Sequence, residues 1–243
     1  NLSEINFECS VPVIWDESFY QVTATAYYPA NDSSWTEEVR KNYGGTLTWK
    51  IYGGDNVDSG TCGENVTWVL DKNGVLTISG TGEMERYASA SQWPWYKKRD
   101  EVVSIVIEDG VTTIGHSAFE NFIHLTNIEI PDSMTEIYWG AFENCSSLTQ
   151  INIPRSVSYV GYHVFYGCSS LKAIYVEEGN NNYISMDGVL FNYKNSKITG
   201  VLYCPGVDRK EYVIPDGVIT INEFAFSDCS ELTSVEIPGS VGN

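Results

Sequence analysis

A 23-residue spacing runs through the second half of the chain. Phe119, Phe142 and Phe165 keep it, as do Leu125, Leu148 and Leu171, and Ile107, Ile130 and Ile153. A fixed interval in the twenties predicts a solenoid, because each repeat is one coil that can bury its apolar face only against its neighbours. Within a coil, "IxIP" reads as an alternating strand with two inward Ile, and the proline ends the ladder because it has no N–H to donate. A second short strand ("TEI", "SYV"), a turn with "AF" or "VF", a Cys slot and an inward Leu follow. One core layer is therefore predicted from Ile128, Ile130, Met134, Ile137, Phe142, Cys145 and Leu148. The next comprises Ile151, Ile153, Val157, Val160, Phe165, Cys168 and Leu171.

The rhythm breaks after Val176 and resumes at Ile214. Turn signals at Asp187-Gly188 and Lys194-Asn195-Ser196 predict an enlarged coil with an extra β-hairpin over about 177–211. Residues 57–100 read as a cap over the first coil. "NVTWVLDKNGVLTISGTG" predicts a hairpin, with Asn73-Gly74 supplying the positive φ angles of a tight turn. Trp68, Trp93, Trp95 and Tyr96 supply apolar cover for an end that would otherwise expose core and strand edge. Residues 1–56 show no repeat in sequence. "YQVTATAYY" and "GGTLTWKIYGG" read as strands of a small β-rich region, with Ser33 or Ser34 capping a short helix that has Glu37 and Glu38 in its first turn.

The chain has 243 residues, 32 acidic and 14 basic, for a net charge of −18. Residues 101–243 hold 18 acidic and 6 basic side chains, so they carry −12 of it. Such a field repels nucleic acid and anionic membranes and suits solubility, or a basic partner. No apolar run approaches the ~20 residues that span a bilayer, so no membrane insertion is expected of this segment. The chain does not open on Met and stops partway into a repeat, and so reads as a fragment or mature segment. Cys145, Cys168 and Cys229 share a slot that Phe122 fills in the first repeat, which predicts buried free thiols. Without CxxC or paired His, a metal site is the weaker alternative. Cys9 and Cys62 are a candidate disulfide of an exported protein, and Cys204 has no evident mate.

These motifs resemble the BspA-like leucine-rich repeats of bacterial surface proteins. "LTxIxIPxSVxxIGxxAFxxCSSL" is nearly intact over 126–148 and 149–171 and returns in "YVIPDGVITINEFAFSDCSEL". The leader "SGTCGENVTWVLDKNGVLTISGTGEM…WPWY" and the insertion with "DGVLF" and "YCPG" are also similar to units of that family. The resemblance implies a mainly β, right-handed leucine-rich-repeat solenoid at the cell surface or secreted, adhering to host proteins or other cells, with no shared catalytic residue. Met134 departs from the motif's Val, Phe122 from its Cys, and Tyr138-Trp139 are read as displacing its Ile-Gly.

Nothing in the sequence marks a reaction. His116, His124 and His163 fall at variable outer positions, and no HExxH, GxSxG, P-loop or GxGxxG occurs. No catalytic residue, metal site or cofactor is assigned. Strands of successive coils should stack ~4.8 Å apart as one continuous sheet. Its solvent columns read Val106, Glu129, Asn152 and Tyr175, and Ser104, Asn127, Gln150 and Ala173. Glu129, Asn152, Tyr175, Asn127 and Gln150, with Tyr193 from the insertion, are the candidate contacts for a protein partner on a host or bacterial surface. Tyr183, Phe191 and Tyr203 either pack on the coils or project with Tyr193. The alternative is a carbohydrate-binding or spacer module of a larger cell-wall or polysaccharide-degrading protein, a glycan stacking on Trp93, Trp95 and Tyr96.

Overall fold

Every side chain in the two predicted core layers is buried except Ile130, which packs partly buried against the same cluster. The Phe column forms as the spacing requires. Phe119 and Phe142 stack at 5.6 Å between ring centroids, and Phe142 and Phe165 at 6.1 Å. Trp95 extends the column on one side, 5.7 Å from Phe119, and Tyr203 closes it edge-on against Phe165 at 5.7 Å. Each fully buried ring contributes about 2–3 kcal/mol by leaving water, which sets the coil spacing more firmly than any single backbone bond.

The computed structural model describes residues 2, 4–7, 12–29, 36, 39–52 and 56–242, and the chain divides into two compact units, 1–56 and 57–243. In the second unit the first strands of the coils pair in parallel, Ser104–Ile107 with Asn127–Glu129 and Gln150–Ile153 with Ala173–Val176. The short second strands Thr113–Ile114, Glu136–Ile137 and Tyr159–Val160 form another parallel ladder. This is a leucine-rich-repeat solenoid, mainly β, with two short 3-10 turns at Ala90–Gln92 and Tyr96–Glu101. Side chains bond between coils as well. Asn144 Nδ2 donates to Asn121 Oδ1, and Thr135 Oγ1 to the Thr112 carbonyl, each 23 residues back.

Four features differ from the sequence reading. The first-strand sheet is not continuous. Hydrogen bonding breaks between Asn127–Glu129 and Gln150–Ile153, and again after Ala173–Val176, where the Ile174 N–H donates to Gly188 of the insertion instead. The cap hairpin, Val66–Asp71 with Val75–Gly80, turns through three residues, Lys72 to Gly74. Only Gly74 takes a positive φ (+77°), and the Asp71 carboxylate accepts from Asn73 N–H and Val75 N–H, so Asn73 needs no left-handed conformation. In the second coil, Ile137 pairs in register with Ile114 and Val160. Tyr138 thus holds the place of Gly115 and Gly161, and Ile is retained. Finally, the described part of residues 1–56 does repeat, though in backbone only. Glu4–Asn6, Thr23–Pro29 and Thr46–Tyr52 form an all-parallel sheet around Ala24, Ala26 and Leu47, with Thr23 opposite Thr46, 23 residues on. Ser33, Ser34, Glu37 and Glu38 of the predicted helix, and the Cys9 half of the candidate disulfide, lie outside the described residues; Cys62 is a buried thiol.

The enlarged coil is an antiparallel meander of Tyr183–Met186, Val189–Lys194 and Lys197–Tyr203, and the last strand pairs in parallel with Thr220–Ile221 in a sheet of its own. Asp187-Gly188 and Asn195-Ser196 all have positive φ, as tight hairpin turns require. Phe191 is fully buried and Tyr183 and Tyr203 nearly so. Tyr183 Oη accepts the Val160 N–H at 2.8 Å, standing in for the strand that the insertion displaces. Asn180, also buried, donates to the Pro154 and Val157 carbonyls and accepts from Asn182 and Tyr183 N–H.

Candidate partner-binding surface

The strand face presents Asn127, Glu129, Gln150 and Asn152 exposed, with Tyr175 at 51%. Asn152 lies opposite Tyr175 and Gln150 opposite Ala173 in one two-stranded sheet. Asn127 and Glu129 belong to another, hydrogen-bonded to Ser104–Ile107. Asn152 Nδ2 is engaged by Glu177 Oε1 at 3.2 Å. Tyr193 is half-buried in the insertion sheet, opposite Ile198, and does not join either set.

Trp93 and Trp95 are the reverse of a sugar platform. Both are buried, stacked on each other at 5.1 Å, with Tyr87 edge-on to Trp93 at 4.8 Å. A stacked sugar needs an open ring face, and neither indole has one. Tyr96 is half-buried with the Arg99 guanidinium 4.4 Å over its ring. The indoles close the solenoid by a specific substitution. In the coils, Ser117 and Phe119 N–H donate to the Trp139 and Ala141 carbonyls, and Gly140 and Phe142 N–H to those of Tyr162 and Val164. The equivalent carbonyls of the first coil, His116 and Ala118, have no coil before them. Trp93 Nε1 and Trp95 Nε1 donate to them instead, at 2.8 and 2.7 Å.

A second surface, which sequence reasoning missed, lies on the turns after the second strands. Two positions of each turn are left-handed. The later one holds Asn121, Asn144, Gly167 and Asp228, residues that tolerate it. The earlier holds Ser117, Gly140, His163 and Phe224. His163 (φ +58°) and Phe224 (φ +59°) are bulky for that region and are held side by side, edge to face at 4.3 Å. Trp139 lies 5.7 Å from His163, and Tyr166 contacts both His163 and Phe224. Trp139, Tyr162, Tyr166 and Phe224 are all more than a third exposed. Tyr162, His163, Tyr166 and Phe224 frame a shallow recess that Phe165 and Tyr203 also line, with Trp139 next to it against His163. Beside it, Tyr138 stacks on His116 at 5.0 Å and its hydroxyl donates to Glu136. That hydrogen bond, with burial behind it, raises the Tyr138 pKa. Burial and the neighbouring Glu120 raise that of Glu143, which His163 opposes. The signal was present as variation, since aromatic and bulky residues occupy turn positions that elsewhere take Gly and Ser. The spacing alone did not show that they converge.

Among the described residues no cluster of three His, Cys, Asp or Glu side chains could hold a metal ion, and no helix is long and apolar enough to cross a membrane. Burial pushes the Cys62 and Cys168 thiols up to about 12 and Cys145 well above its usual range.

Comparison with known proteins agrees with this architecture. A leucine-rich repeat protein from Eubacterium ventriosum is 27% identical over 76% of this chain, with a TM-score of 0.45, and this chain spans 61% of its length. A leucine rich cell surface protein from Faecalibacterium prausnitzii is 19% identical, covering 78% of this chain and 73% of its own, with a TM-score of 0.52. The pneumococcal vaccine antigen PcpA is 18% identical over 76% of this chain and 71% of its own, with a TM-score of 0.46. Among curated proteins, no sequence matches it. The model of the BspA type leucine rich repeat region matches in six copies over residues 95–209 and 203–243, so the chain belongs to the BspA type leucine-rich-repeat family.

Proposed function

We propose that this chain is a non-enzymatic, extracellular or cell-surface binding protein that holds a protein partner on the flank of its solenoid. The observation that carries the reading is the convergence of Tyr162, His163, Tyr166 and Phe224, two of them in left-handed backbone, around one open recess, with Trp139 packed beside it on His163. Exposed, clustered aromatics of restricted mobility are what binding hot spots use, since they bring large contact area at small entropic cost. Glu223 lines the recess, Asp228 accepts from the Gly167 N–H and Glu143 interacts with His163, and these acids favour a basic partner surface. Family membership and the cell-surface description of the Faecalibacterium protein support the location. Glu129, Asn152 and Tyr175 on the strand face form the second candidate surface, favoured by the exposure of Tyr175.

The test is binding of the purified chain to arrays of extracellular matrix and cell-surface proteins and of glycans. For a protein that binds, Trp139→Ala with Tyr162→Ala should weaken the affinity at least ~10-fold, and Glu129→Ala, Asn152→Ala and Tyr175→Ala together should change it less than ~3-fold. The opposite ranking moves the site to the strand face. Binding to glycans alone rejects a protein partner.

A further inference from the structure

The Cys slot has a repeated geometry. Cys145 Sγ donates to the Phe119 carbonyl and Cys168 Sγ to the Phe142 carbonyl, both at 3.1 Å. Cys229 Sγ does the same to the carbonyl of Cys204, at 3.2 Å. In the first two cases the acceptor residue carries a column phenyl ring. In the third it carries a second thiol, so the two cysteine side chains adjoin, with Cys204 Sγ itself turned to the Pro205 carbonyl at 3.9 Å. The backbones are equally close. Cys204 N–H donates to Ala225 O at 2.7 Å, and a Cβ added at Gly206 would fall 2.2 Å from Cys229 Cα. The residue that sequence left without a mate thus faces one, brought there by the return of the enlarged coil. Cys204 is fully buried and Cys229 half-buried.

We propose that Cys204 and Cys229 are a modification site, a reversible disulfide that staples the enlarged coil to the coil after it when a disulfide-class oxidant is present. The Cys229 thiolate attacks one sulfur of a small-molecule disulfide RSSR, forming a mixed disulfide and releasing RS⁻. The Cys204 thiolate then attacks the Cys229 sulfur and releases the second RS⁻. Two protein thiols give one disulfide, two electrons reduce RSSR, and the two thiol protons end on two RSH. The order follows access, since Cys229 is the half-buried residue of the pair and Cys204 the fully buried one. Interaction with the Cys204 side chain also lowers the Cys229 pKa, whereas interaction with Cys229 and burial raise that of Cys204. Cys145 and Cys168 serve as an internal comparison. Both lie inside the core with almost no exposed surface, whereas Cys229 is half-buried, so both stay reduced.

The test uses the whole chain, folded, incubated with oxidised glutathione, alkylated and digested with trypsin. Cleavage after Lys197, Arg209 and Lys210 leaves Cys204 in 198–209 and Cys229 in 211–243, each as the sole cysteine. The expected product is these two peptides joined. The oxidised protein should melt roughly 5–10 °C above the reduced one, because the bond closes a loop of about 25 residues. Cys229→Ser should remove both effects. Unlinked, fully alkylated peptides overturn the proposal, as does glutathione left on Cys229. A linked pair with no rise in melting temperature also overturns it, since that places the bond in unfolded chain.

Discussion

Replacing Trp95 with Phe isolates the closing hydrogen bond from most of the packing. Trp95 has no exposed surface and stacks between Trp93 and Phe119, with Trp68 edge-on at 5.8 Å. A phenyl ring keeps the stack and removes Nε1, whose hydrogen goes to the Ala118 carbonyl at 2.7 Å. Leaving that carbonyl without a donor costs about 1–3 kcal/mol. The smaller ring leaves a void worth about 1 kcal/mol more. The sum, ~2–4 kcal/mol, corresponds to a fall of roughly 5–15 °C in melting temperature for a domain of this size. Urea unfolding followed by circular dichroism measures the total. Hydrogen exchange locates it, since in a quasi-one-dimensional array an end defect should raise exchange over 102–125 well before 149–171. Trp93→Phe should behave alike through His116, and the double variant should lose less than the sum because the rings touch. A Trp95→Phe protein within ~0.5 kcal/mol of the parent, or one that loosens both coils equally, would refute the idea that indole N–H groups replace a missing coil.

Two further outcomes follow from buried polar groups. Asn180→Ala deletes four hydrogen bonds and leaves the Val157 carbonyl without a donor, while Pro154 keeps that of Val157 N–H, so a loss of about 3 kcal/mol is expected by thermal or urea unfolding; a change below ~1 kcal/mol would show that the enlarged coil is anchored elsewhere. Glu143 has a folded pKa above its ordinary 4.5, through burial and Glu120. Between those two values the folded chain binds more protons than the unfolded one, so this group adds stability as pH falls through the raised pKa, the gain being complete below the unfolded value. Glu143→Gln should therefore stabilise slightly at pH 7 and flatten that part of the profile; melting curves from pH 7 to 4 that run parallel for parent and variant would remove Glu143 as the cause.

The core layers were legible because a solenoid repeats its side chains where it repeats its volume. Phe119, Phe142 and Phe165 must fill the same space in successive coils, so the sequence carries them in plain view. The turn flank was half legible. Tyr138, His163 and Phe224 stand out against Gly and Ser at their positions, yet their convergence depends on left-handed backbone and on Phe224 being returned beside His163 after the insertion. The strand columns were legible as exposed positions but not as separate sheets, because where a ladder breaks depends on backbone spacing between coils.

The 23-residue interval by itself determined the coil, its inward residues, the slot for the thiols and the place of the enlarged coil. Tertiary structure alone decided three matters. Trp93 and Trp95 became donors in place of a coil, because His116 and Ala118 carbonyls were otherwise orphaned inside the cap. Glu4–Asn6, Thr23–Pro29 and Thr46–Tyr52 stacked in parallel, the last two at the same interval, without a repeated sequence, because backbone pairing carries no side-chain signature. Cys204 met Cys229, because an insertion keeps no period and the path of its returning strand sets which residues face each other across it.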